Sequence, residues 1–184
     1  KSTFARTLLN LLPALSGKVR WNIQPHCRCV PQQLPLTEDY PVSVFDIVEL
    51  GMWDTPDTGS PLWGLRPGKS QDKPAKQIVS EMLTRVGLNG MENRRFARLS
   101  GGEQRRALIA RALVADANCI VLDEPMNGVD QEGRESLGKL VTDLAENSEI
   151  LFLVITHDSS WIPVQPRCYL DLSATGEISL EPRS

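Results

Sequence analysis

The sequence lacks any apolar run approaching the roughly 18 residues that a membrane-spanning helix needs. Its longest such run, residues 150–155, has the length of a strand, so any work at a membrane would go through a partner. An excess of positive charge is missing too. Lys and Arg number 20 against 23 Asp and Glu, giving a net charge of −3 and a pI near 5.5. A dedicated nucleic-acid binder would carry a basic stripe, and nucleic acid is not an expected partner. Cysteines are few, and the spacing of Cys27, Cys29, Cys119 and Cys168 makes no disulfide framework. A reducing, cytosolic compartment fits best. His26-Cys27-Arg28-Cys29 lacks the second half of the common zinc motifs and reads as a strand edge running into a loop. The first residues show no cleavage-type segment of a secretory signal, and no internal repeat is visible.

What is present suits a folded core. The chain has 184 residues, 41% of them hydrophobic and 23% charged with the signs mixed. That length predicts one domain with room for a subdomain. Phe4, Leu8, Leu11, Leu12 and Leu15 repeat with helical period, and Ser16-Gly17 stops that helix. Residues 18–33 read as short extended pieces. The character changes over residues 34–98, which start with a short amphipathic stretch at 42–52 and a Gly/Pro-rich stretch at 53–74. A stronger helix follows, with Ile78, Val79, Met82, Leu83 and Val86 on one face and Gly87 at its end. Strand–helix alternation then takes over: helix 105–114, strand 119–122, helix 131–146 and strand 150–155. Continuous apolar strands between helices predict a parallel sheet covered on both faces. Both strands end in polar residues, Asp123-Glu124 and Thr156-His157, at the carboxyl edge where open α/β sheets bind ligands.

Several short motifs carry chemistry. Ser100-Gly101-Gly102-Glu103 is a capping box ahead of an amphipathic helix. Its glycine pair adds what a cap does not need, a backbone that an anion can approach closely. Ile120-Val121-Leu122-Asp123-Glu124-Pro125 ends a buried strand in two carboxylates. Adjacent residues on a strand point to opposite sides, so the two can hold different tasks. Asp130 in Asn127-Gly128-Val129-Asp130 can cap the helix that begins at Gln131. Ile155-Thr156-His157-Asp158 puts a histidine after the second strand, and His26 has no such context.

Taken in this order, Leu99-Ser100-Gly101-Gly102-Glu103-Gln104, Ile120 to Pro125 and Ile155 to Asp158 resemble the signature loop, Walker B strand and switch histidine of the ATP-binding cassette (ABC) ATPases. Lys1-Ser2-Thr3 matches the end of a P-loop. The resemblance implies an α/β fold: a P-loop NTPase (RecA-like) parallel-sheet core with an inserted helical subdomain. It divides the chain into a partial ATP-binding core at 1–36, a helical subdomain at 37–98 and the rest of the core at 99–184. ATP and Mg²⁺ are the implied substrate and cofactor. Lys1 would contact the β- and γ-phosphates, Ser2 would ligate Mg²⁺, and Thr3 would sit at a helix N-terminus that favours phosphate. Gln32 would touch Mg²⁺ or the attacking water, with Gln33 the alternative by register. Asp123 would hold Mg²⁺ through water and Glu124 would be the general base. His157 would contact the γ-phosphate. Ser100, Gly101 and Gly102 would grip the nucleotide bound by a second copy of the chain in a head-to-tail dimer, and Asp130 would cross that interface while also capping its helix. Arg105 and Arg106 are expected to be solvated or structural rather than catalytic.

Residues 40–48 and 124–130 are most similar to bacterial import ATPases for zinc, manganese and iron. An integral membrane permease is then a second expected partner, and the expected location is peripheral, on the cytoplasmic face of the membrane. Two other readings stand beside this one. One is a soluble ABC ATPase of DNA repair, chromosome organisation or translation, whose coiled coils, zinc modules or tandem cassettes are not seen. The other is an inactive cassette fragment. Because Lys1 matches the inside of a P-loop, the expectation is that the glycine loop and the strand before it are missing, with weak ATP binding as the consequence.

Overall fold

The computed structural model describes residues 3, 7, 12–18, 20, 26–31, 41–54, 66–67, 74–157, 168–172 and 178–182. In chain order these form β1 (Cys27–Val30), α1 (Val44–Glu49) with a 3₁₀ turn at Leu50–Met52, β2 (Trp53–Asp54), β3 (Arg66–Pro67), α2 (Ala75–Arg85) and a second 3₁₀ turn at Phe96–Arg98. There follow α3 (Gly101–Val114), β4 (Cys119–Asp123), α4 (Gln131–Asn147), β5 (Leu151–Ile155), β6 (Cys168–Leu172) and β7 (Ile178–Pro182). The fold is α/β.

Among the described residues, the main sheet is parallel, in the order β1-β4-β5. Cys27 pairs with Cys119 and Val30 with Leu122, while Cys119 pairs with Leu151 and Asp123 with Ile155. The central strand is apolar and buried from Cys119 to Leu122. The strand at 151–155 departs from expectation. Phe152 to Ile155 are only half-buried and Leu151 is exposed, so within the described residues this strand is not covered on both faces. Two antiparallel pairs, β2 with β3 and β6 with β7, lie apart from the main sheet. No helix among the described residues is long and apolar enough to cross a membrane.

Each helix starts and stops for a local reason. In α1, Ser43 Oγ accepts from the Asp46 N–H and Asp46 Oδ2 accepts from the Ser43 N–H, a reciprocal cap. The α2 helix ends as the sequence anticipates. Gly87 has φ +71°, its N–H donates to the Thr84 carbonyl, and the Leu88 N–H donates to that of Leu83. This is the Schellman arrangement, with Leu83 and Leu88 both buried beside it. The α3 helix begins at Gly101, earlier than the apolar pattern alone indicates, because Ser100 caps it. In the N-terminal segment, Thr3 and Thr7 are helical. Leu12 and Leu15 fall among bends and are exposed, outside the apolar face that their spacing suggested.

One core joins these elements. Val44 and Val48 of α1, Val79 and Leu83 of α2, Ile109 of α3, Ile120 and Leu122 of β4 and Leu137 of α4 are all buried within it. Each fully buried aliphatic side chain contributes roughly 1.5–3 kcal/mol. The α3 helix lies at the centre, packed on α1, α2, α4 and β1. Its two ends are therefore fixed relative to the sheet.

Candidate nucleotide-binding site

Parallel strands bring their carboxyl ends to one edge, so Val30-Pro31, Asp123 and Ile155 end beside one another. Asp123 is the last residue of β4 and is half-buried. Glu124 follows it, and its N–H donates to the Ile155 carbonyl at 2.9 Å, which prolongs the ladder by one bond. Its φ of +44° then turns the chain out of the strand. Contrary to the expectation for adjacent strand residues, pleat alternation does not separate the two carboxylates. Glu124 lies outside β4 in the left-handed region, so the turn, not the pleat, sets its direction. Such a conformation costs a non-glycine residue about 1–3 kcal/mol and persists where the surroundings fix it. Here Pro125 is fully buried, the Asn127 N–H donates to the Glu124 carbonyl at 3.2 Å, and the Val129 N–H donates to that of Met126 at 3.2 Å.

His157 lies two residues past β5. Its Nδ1 is 2.9 Å from Glu124 Oε2, with the two side chains 66% and 21% exposed respectively. An ionised carboxylate only accepts, so Nδ1 carries a proton in this contact. The pair is thus an open site at the sheet edge rather than a core contact.

A second cluster forms at the start of α3. Ser100 Oγ accepts from the Glu103 N–H at 3.3 Å, and the Ser100 N–H donates to Glu103 Oε2 at 2.8 Å. Gly101 lies so close to the turn after β4 that a Cβ there would sit 2.6 Å from the Gly128 carbonyl oxygen. Gly102 packs against Val129 and Gly133. Asp130 caps α4 by accepting from the Gly133 N–H at 3.1 Å. The structure therefore brings Glu124 to His157, and brings Gly101 and Gly102, which follow the cap Ser100, to the turn that ends in Asp130. Thr3 is helical and exposed, and its carbonyl accepts from Thr7 Oγ1 at 3.0 Å. Lys1, Ser2, Gln32 and Gln33 lie outside the described residues.

Of the two roles expected for Arg105, solvated or structural, it takes the structural one. It is 6% exposed, with Nε donating to the Pro125 carbonyl at 3.2 Å and Nη1 to that of Pro31 at 2.6 Å. Burial pushes its pKa below the ordinary arginine value, and a guanidinium stays charged at neutral pH all the same. Helical spacing offered a signal. Arg105 precedes Leu108 and Ile109 by three and four residues, which puts it on their inward face.

Comparison with known proteins gives a consistent picture. The model of the family described as ABC transporter matches residues 1–127. The chain is 37% identical over 164 residues to the zinc transport system ATP-binding protein TroB of Treponema pallidum, covering 86% of this chain and 58% of that protein. It is 32% identical over 166 residues to the manganese transport system ATP-binding protein MntB of Listeria innocua, covering 86% of this chain and 64% of that one. It therefore spans less than two thirds of either relative. Among solved structures, a transporter described as ABC, of metal-chelate type, in an inward-facing conformation superposes with a TM-score of 0.79 at 25% identity. That match covers 99% of this chain and 67% of the other.

Proposed function

The chain belongs to the ABC transporter family, and we propose that it is the ATP-binding and hydrolysing subunit of an importer, energising uptake of a small solute, a transition-metal ion. The observation that carries the catalytic part is the 2.9 Å contact of Glu124 with His157 at the carboxyl edge of the sheet. Phosphoryl transfer to water needs positioning and charge stabilisation more than covalent help. Glu124 accepts a proton from the attacking water. His157 orients that carboxylate by donating from Nδ1, and as an imidazolium it would also donate from Nε2 to the γ-phosphate.

Mg²⁺ fits the donors present. Among the described residues no three His, Cys, Asp or Glu side chains converge on one point. Mg²⁺ does not need such a cage, since it takes one or two carboxylates together with substrate phosphates and water. Asp123 would hold it, with Ser2 and Gln32, and when bound it would neutralise charge on the phosphates. Lys1 and Thr3 would complete the phosphate contacts.

Ser100, Gly101 and Gly102 present a capped helix N-terminus to an anion. Gly101 and Gly102 pack on the turn before Asp130, which supports a task at the interface with a second copy of the chain. We assign residues 1–36 and 99–184 to the ATP-binding core and 37–98 to a helical subdomain. The segment 34–48 would seat a cytoplasmic helix of a membrane permease, which puts the subunit on the inner face of the membrane. The metal assignment draws on the similarity to TroB and MntB, whose names state zinc and manganese transport.

The test uses the protein as expressed from its gene. MgATP turnover, co-purification with a membrane protein, and a growth defect on deletion that zinc or manganese relieves are the expected results. Crosslinks from residues 34–48 to ribosome or DNA would overturn the transport reading, and indifference to metals would overturn the substrate.

A further inference from the structure

Arg105 hydrogen-bonds two backbone carbonyls, and each of these acceptors adjoins a residue of the proposed site. Pro31 precedes Gln32, and Pro125 follows Glu124. The strands that lead to these prolines are hydrogen-bonded neighbours as far as Val30 and Leu122. Proline has no N–H, so neither Pro31 nor Pro125 can donate a further ladder bond. Their carbonyls are what the two chain ends offer, and one guanidinium takes both. A guanidinium is a rigid planar fork, so two bonds from it hold two acceptors at a set separation. The same side chain is rooted in the second turn of α3, which Ser100 caps and which Gly101 and Gly102 open. Pro31, Pro125 and the start of α3 are thereby joined through one buried cation.

We propose that Arg105 is a positioning residue for ATP hydrolysis. It sets the spacing between the chain that leads into Gln32 and the turn that holds Glu124, and it ties both to the signature-like loop. The inference rests on the ATPase reading above. A shift at either strand end must then move α3 or break a bond to Arg105, which makes this residue the link through which the two halves of the site move together. Neutral or single-point replacements remove the fork. Met keeps the bulk without donors, and Lys keeps the charge without fixed geometry.

Steady-state kinetics on R105M and R105K in the protein as expressed from its gene, with its partners, decide the matter. Misplacing reacting groups by an ångström can cost about 10²-fold, so R105M should lower kcat about tenfold or more while KM for ATP stays within about twofold. R105K should fall between, about three- to fivefold below the parent, because charge alone restores part of the bridge. If R105M does not fold, R105K carries the test alone. A parental kcat in a folded variant, or a loss confined to KM, overturns the proposal. An active parent with an equally active R105M sinks this inference only, whereas a parent without ATP turnover sinks the ATPase reading.

Discussion

His157 Nδ1 lies 2.9 Å from Glu124 Oε2, a contact made across 33 residues of sequence. It forms because β4 and β5 are parallel neighbours ending together, with Glu124 bonded through its N–H to Ile155. Replacing Glu124 with Gln keeps shape and removes the proposed base. ATP turnover should fall by about 10²-fold or more, while ATP binding persists and an ATP-bound dimer accumulates. His157→Ala leaves the base but frees its carboxylate, so turnover should fall by a smaller factor. Turnover of the Gln variant within a few fold of the parent would remove Glu124 from the role of base.

The start of α3 has a surface face and a packed face, and the two respond to different substitutions. Ser100 is exposed while Gly102 is buried. Ser100→Arg adds bulk and charge where a second subunit's nucleotide would dock. ATP binding to one subunit should survive and ATP-dependent dimerisation should be lost, as read by light scattering with MgATP. A variant that still dimerises would contradict an in-trans role.

Gly101→Ala acts through the fold instead. Its Cβ would meet the Gly128 carbonyl at 2.6 Å. That oxygen is backbone, so the turn leading to Asp130 has to move. Overpacking of this kind costs about 1–3 kcal/mol, so the urea midpoint should drop. An unchanged midpoint would mean that the loop yields freely.

Much of this site was legible because its signals are local. The S-x-x-E spacing of Ser100 and Glu103 predicts a reciprocal cap, and both bonds are present. Gly87 after an apolar stripe predicts a left-handed helix end, and its φ is +71°. The apolar run to Leu122 predicts a buried strand that delivers Asp123 to an edge. What stayed hidden depends on distant chain. Nothing near Glu124 in sequence announces a φ of +44°, because a turn braced by Ile155 and Asn127 imposes it. The second bond of Arg105 goes to Pro31, 74 residues away. The partial exposure of Phe152 to Ile155 depends on what packs beside the strand, which an apolar run cannot state.

Two glycines should separate conformational strain from collision. Gly87 has φ +71°, and a Cβ there would find only Arg106 Nη1 at 3.6 Å, an ordinary contact. Gly87→Ala should therefore cost only the left-handed penalty of about 1–2 kcal/mol, and Gly87→Asn should cost less, because asparagine tolerates that region. Gly51 is the reverse case. Its backbone φ is not in the left-handed region, but a Cβ would lie 2.1 Å from the Arg111 carbonyl oxygen. The 3₁₀ turn at Leu50–Met52 would have to lift off α3. Gly51→Ala should cost about 3 kcal/mol, at the upper end of overpacking effects, and more than Gly87→Ala. Shortening the Arg111 side chain should not rescue it, because the nearest colliding atom belongs to the main chain. Urea unfolding of the single and double variants gives the ranking. Rescue of Gly51→Ala by Arg111→Ala would show that the side chain, whose Cγ lies 3.1 Å from that Cβ position, is the true obstacle.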